Sequence, residues 1–240
     1  PPDSTAGEEP IAVPPGRGLG QTEWDLLLDV GYAHWADPTG QGLYDVAGGT
    51  VAIGVRPEFR GVGRWVTVWL DLKAAMGIGS GNFAGGNESV LSFGGQGHLG
   101  VDVQPWTFVG VGPFVGYRLD HFSVTPTGDG NGNQSWDATD NGPEFGGHLR
   151  LRTRDRPGRP GLLYLDAEIS SRNGSAMSGV YQRDEIGLRT SRAFGLYLMA
   201  DIRLSASGTA TPGTFSDPAD LLAKTMPSQT QLGGGVLWGF

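Results

Sequence analysis

The chain has 240 residues, no cysteine, 42 glycines and a formal net charge of −8. Without cysteine it has no disulfide staples, so a core or a closed sheet must hold it together; the acidic balance argues against nucleic acid, which needs a concentrated positive face. No apolar run approaches the roughly 20 residues of a spanning helix, which excludes an α-helical membrane protein and leaves strands open.

Residues 1–23 are rich in Pro, Gly and Glu and read as a disordered tail. The opening Pro1, Pro2, Asp3 has the look of a mature N-terminus, so a secretion signal is expected in the precursor. From Trp24 the pattern changes to period two, the spacing of a strand with two unlike faces. Trp24, Leu26, Leu28, Val30 and Tyr32 alternate with Asp25, Asp29 and Gly31. In 46–59, Val51, Ile53, Val55 and Phe59 oppose Thr50, Arg56 and Glu58; in 65–78, Val66, Val68, Leu70 and Leu72 oppose Thr67, Asp71 and Lys73. Leu91, Phe93, Leu99 and Val101 oppose Ser92, Gln96, His98 and Asp102, and Val109, Val115, Tyr117 and Leu119 oppose Arg118 and Asp120. Phe145, Leu149 and Leu151 then face away from His148, Arg150 and Arg152, as Leu163, Leu165 and Ile169 do from Tyr164, Asp166 and Glu168. A weaker segment, 180–189, sets Ile186 and Leu188 against Arg183 and Glu185. In 194–205, Leu196, Leu198 and Ile202 oppose Tyr197, Asp201 and Arg203, and in 229–240 Leu232, Val236, Trp238 and Phe240 oppose Gln231 and glycines. That makes ten strands, with eight or twelve left open.

Connections after the even strands read as short (60–63, 104–107, 155–161, 190–192) and those after the odd strands as longer (36–43, 79–89, 125–142, 171–179, 206–228). Short turns at one rim and long loops at the other suit an up-and-down barrel in a membrane. The glycines follow no three-residue period, which excludes collagen.

The last strand, with Leu232, Val236, Trp238 and Phe240 in phase, resembles the closing strand of small outer-membrane β-barrel proteins of Gram-negative bacteria. The resemblance implies an all-β, transmembrane, antiparallel up-and-down barrel over 24–240 with both termini periplasmic. It also implies outer-membrane lipid as surroundings, and Trp238 and Phe240 as the signal read by the barrel-assembly machinery. Trp24, Phe59, Trp65, Trp106, Phe194, Trp238 and Phe240 mark one aromatic girdle and Tyr32, Phe93, Tyr117, Phe145 and Tyr181 the other.

The apolar faces are almost free of charge, whereas the other faces mix both signs, which suits a polar lumen whose ions pair off. Asp71, Lys73, Arg118, Asp120, Arg150, Arg152, Asp166, Glu168, Asp201 and Arg203 are expected to form this lumen network, Arg150 and Arg152 pairing with Asp166 and Glu168. A soluble secreted barrel with the charges outside is the alternative.

In 129–140, Asp129, Asn131, Asn133, Asp137 and Asp140 echo the ligand spacing of a calcium loop, although Gln134 replaces its glycine and Asp140 its closing Glu. Ca²⁺ is the one cofactor this pattern suggests. Ten-stranded outer-membrane proteases and acyl hydrolases need paired catalytic groups, but Asp120 and His121 are adjacent and so face opposite ways, and His34, His98 and His148 are scattered. The expectation is therefore a non-enzymatic structural or interaction subunit of an envelope assembly, with periplasmic or surface protein partners. A narrow small-solute channel is the alternative.

Overall fold

A strand apolar on one side and ionic on the other can satisfy its backbone only by pairing along both edges, and a sheet without free edges is a cylinder. The computed structural model describes residues 21–39, 42, 44–60, 65–83, 86–106, 108–125, 135–153, 163–174, 178–191, 193–206 and 227–240. They form ten antiparallel strands: β1 Gln21–Ala36, β2 Tyr44–Arg60, β3 Val66–Phe83, β4 Gly86–Trp106, β5 Val109–Thr125, β6 Trp136–Arg152, β7 Leu163–Asn173, β8 Ser178–Arg189, β9 Gly195–Ala206 and β10 Ser228–Gly239. Each pairs with the next, and β1 closes on β10. At the seam Leu26 stands opposite Trp238 and Tyr32 opposite Leu232. Pairing runs to the end of the chain, where Trp24 and Phe240 exchange both backbone hydrogen bonds at 3.2 and 3.0 Å.

The two faces divide as the period-two pattern requires. Val30 is 61% exposed, Ile53 56% and Leu198 67%, while Asp71, His98 and Asp102 are fully buried. Charges thus fill the interior and aliphatic side chains cover the outside, the reverse of a soluble barrel. On β5 the ten steps from Val109 to Leu119, at roughly 3.3 Å per residue and a tilt of about 40°, rise about 25 Å, the height of a hydrocarbon belt. Trp24, Phe59, Trp65, Trp106, Phe108, Trp238 and Phe240 project outward along the rim that carries the first residues of β1 and the last of β10.

At the opposite rim the polarity inverts. On the outer face His34 meets Asp45 at 2.6 Å, His121 meets Thr139 at 2.8 Å, and the Tyr117 hydroxyl donates to Asn141 Oδ1 at 2.8 Å. Behind them the inner face turns apolar: Ala33, Trp35, Tyr44, Val46, Phe83, Val90, Phe122, Val124 and Ala138 form one buried cluster. Tyr44 stacks on Phe83, and Phe83 on Trp136, at 5.5 and 5.1 Å between centroids. Above the belt the outer solvent is water, so the ordinary inside-apolar rule returns.

That inversion explains where the loop assignments fail. Strands β3 and β4 continue to Phe83 and from Gly86, so the expected long connection 79–89 is a tight hairpin, and β6 begins at Trp136 inside the expected loop 125–142. β7 and β8 likewise run to Asn173 and from Ser178, shortening 171–179. The rim asymmetry is correspondingly weaker than the sequence suggests; one wall, β1–β6, stands tall instead. Tyr181 also departs from the expected girdle: it is 3% exposed and points inward.

Inward aromatics account for several glycines. Trp69 lies across Gly100, Phe114 across Gly146 and Tyr164 across Gly187, each pair directly cross-strand, so a Cβ at any of these glycines would enter the ring. Residues 1–20 of the expected tail lie outside the described residues.

Replacing Leu198 with Arg separates lipid from water outside. In urea unfolding of the lipid-reconstituted protein, the substitution is expected to cost about 2–4 kcal/mol; at an equally exposed site in water it would change stability by roughly 0.5 kcal/mol or less.

Candidate functional site in the lumen

All ten residues of the expected lumen network point inward. The alternation of each strand turns every second residue to the interior, the ionic side chains among them, and the barrel brings distant strands into contact. The network has three layers.

Nearest the aromatic rim, Arg150 bridges Glu58 at 2.5 Å and Asp166 at 2.9 Å, and Arg152 joins Glu58 at 2.9 Å. Arg56 spans Asp71 at 3.0 Å and Asp166 at 3.2 Å, while Arg183 holds Glu185 at 3.1 Å. The Tyr164 hydroxyl donates to Glu185 at 2.7 Å, and Asp25 is paired with Arg189. In the middle layer Glu144 accepts from Arg118 Nε at 3.2 Å and meets His98 Nε2 at 2.7 Å, and His98 Nδ1 lies 3.6 Å from Glu168. Closer to the aromatic rim, opposite Thr67, Asp102 accepts from the Trp69 indole at 2.9 Å and meets His148 at 3.0 Å. In the third layer Arg172 joins Asp120 at 2.5 Å and Asp140 at 2.9 Å, Arg203 joins Asp120 at 2.8 Å, and Lys73 meets Asp29 at 2.5 Å. The Arg118 guanidinium rests 3.9 Å over the Tyr181 ring, whose hydroxyl donates to Asp201 at 3.1 Å.

Three expectations change in detail. Arg150 takes Asp166 as foreseen, but Arg152 reaches across the lumen to Glu58, and Glu168 faces His98. Glu144, which joins Arg118 and His98, was hidden beside an expected loop; its even-numbered phase with His148, Arg150 and Arg152 was the available signal. Of the calcium-loop residues, Asp129, Asn131 and Asn133 lie outside the described residues. Asp137 and Asp140 lie on β6 with side chains on opposite faces, Asp137 toward His121 outside and Asp140 against Arg172 inside, so these two do not converge. Among the described residues no cluster of three or more acidic or histidine side chains is arranged to hold a metal ion.

The network occupies most of the bore. A chamber of about 80 Å³ remains between the third layer and the apolar cluster, bounded by Trp35, Lys73, Arg118, Tyr181 and Gln231, with room for a few waters. A second void of about 10 Å³ lies beside Asp25, Glu58 and Arg189. Asp71 and Arg183, which border neither, are buried. The Ser170 hydroxyl donates to Glu144 Oε1 at 3.3 Å, and His98 is bonded to the other oxygen of the same carboxylate. Serine and imidazole thus share a carboxylate instead of bonding each other.

No family model matches the sequence, and no curated protein matches it. Solved structures do. The translocator domain of the autotransporter NalP from Neisseria meningitidis aligns at 13% identity over 93% of this chain and 90% of its own, with a TM-score of 0.45. The outer membrane protease OmpT from Escherichia coli aligns at 8% identity, 91% and 96% coverage and a TM-score of 0.46. A major outer membrane protein from Thermus thermophilus aligns at 18% identity, 90% and 99% coverage and a TM-score of 0.39. The second and third are outer-membrane proteins by name; what places hydrocarbon around the present barrel is its own outer surface.

Removing one partner from the first layer leaves its buried counter-ions short of a cation. Arg56→Ala, which leaves Asp166 to Arg150 and Asp71 to the more distant Arg183, is expected to lower stability by about 3–5 kcal/mol in the same unfolding assay. Gly187→Ala, which drives a methyl into the Tyr164 ring, is expected to cost about 1–3 kcal/mol.

Proposed function

We propose that this protein is an integral outer-membrane barrel with a closed lumen that serves as a non-enzymatic structural or interaction subunit of an envelope assembly. The observation that carries this reading is the layered ion-pair network that crosses the lumen between opposite walls. A pore for solutes needs a continuous wet path, and a ten-stranded barrel has room only for the side chains that fill it. The plug makes the wall rigid and leaves the outer surface and the rims as the places where the protein meets other molecules.

In this reading both termini face the periplasm, at the rim where outward tryptophans gather. Trp238 and Phe240, 43% and 77% exposed on the closing strand, are open to the assembly machinery that inserts such barrels. Loop 206–228 and the tall β1–β6 wall, at the rim away from the termini, serve contacts with surface partners, and the tail 1–23 serves contacts with periplasmic ones. The chamber beside Lys73 and Arg203 favours one second reading, a gated channel for a small solute.

Planar-bilayer recording distinguishes them. The subunit reading expects no stable conductance steps from the purified protein, and none on neutralising Lys73 by Lys73→Met. Discrete steps that change size with that substitution would establish the channel instead.

A further inference from the structure

The lipid-facing surface is apolar with one exception. On the outer face of β8 the sequence runs Val180, Gln182, Asp184, Ile186, Leu188, so the middle of five outward residues is a carboxylate. Its cross-strand neighbours are Ala167 on β7 and Ala200 on β9, and those of Gln182 are Ile169 and Ile202. Among the described residues the other acidic, basic or histidine side chains on outer strand faces are His34, Asp45, His121 and Asp137, all at the polar rim. Asp184 alone sits within the belt.

An acidic side chain facing acyl chains is costly, and inside a membrane such groups mark contacts or function. Gln182 Nε2 donates to Asp184 Oδ2 at 2.8 Å, which leaves the second carboxylate oxygen and the amide oxygen as acceptors directed outward. Alanines on both sides lower the surface there and let another backbone come close, as small residues do at contacts within membranes. We propose that the β7–β9 face is a lateral docking surface for a membrane-embedded segment of a different protein, which presents a basic or hydrogen-bond-donating side chain at mid-bilayer depth. Charge complementarity selects this occupant. A second copy offers, among the described residues, no cation on its belt, and its remaining Gln182 N–H comes with another Asp184 carboxylate of like charge. Lipid headgroups do not reach that depth.

This inference rests on the subunit reading, yet it has its own test. A photoactivatable amino acid replaces Ala200 beside Asp184 or, as a control on the far wall, Val101, in cells that make the full chain. Illumination of intact membranes is expected to give, from position 200 and not from 101, a discrete adduct with another protein. Its cross-linked peptide is expected to lie in a membrane-spanning segment and to carry Lys, Arg, Asn or Gln. Asp184→Leu is expected to lower that adduct roughly three- to tenfold, while the heat-modifiable gel mobility of the variant shows the barrel still folded. Equal labelling from both positions, an adduct with a second copy, or an adduct indifferent to Asp184→Leu would overturn the proposal. Conductance in bilayers together with the donor-bearing adduct would refute the closed-subunit reading and leave this one standing.

Discussion

Hydrocarbon cannot solvate a charge or an unpaired amide, and each main feature of the barrel answers to that. Backbone groups that face lipid must bond within the protein, so ten strands pair with both neighbours and β1 meets β10. Side chains that face lipid must be apolar, so Val30, Ile53 and Leu198 point out. The ionic half of each strand is then left with the lumen, where it has little water and must find opposite charges.

The interior follows from that displacement. Arg56, Arg150 and Arg183 each engage carboxylates from other strands, so the plug ties the wall together across its diameter as well as around it. Aromatics laid over glycines on neighbouring strands fill what the charges leave, at Trp69 on Gly100 and Tyr164 on Gly187. A wall braced this way has little freedom to open. Asp184 stands out because it breaks the rule that shaped the remainder of the belt.

Much of this was legible in the chain because a strand of two faces writes period two into the sequence. The ten lumen residues from Asp71 to Arg203 could be assigned by phase alone, and so could the ten strands. The pattern became unreadable where the outer solvent changes. Beyond Tyr32 on β1 and Phe93 on β4 the outside turns wet, so the apolar residues switch to the inner face; Phe83 fell within an expected loop, and Trp35, Val46 and Val124 stood outside the alternating sets. Tyr181 was misplaced because an aromatic near a strand end suits a girdle and a lumen equally; only its phase with Arg183 and Glu185 points inward. Pairing partners such as Arg152 with Glu58 depend on which strands face each other across the bore, which period two does not encode.

The most direct test of the central claim is a spin label at Leu198, read for its accessibility to oxygen and to a water-soluble nickel chelate in lipid-reconstituted protein. Oxygen partitions into acyl chains and the chelate does not, so collisions with oxygen and exclusion of the chelate are the predicted result, with the reverse at His34 on the polar rim. Free access of the chelate to position 198 would put water where this structure requires hydrocarbon, and would contradict the account.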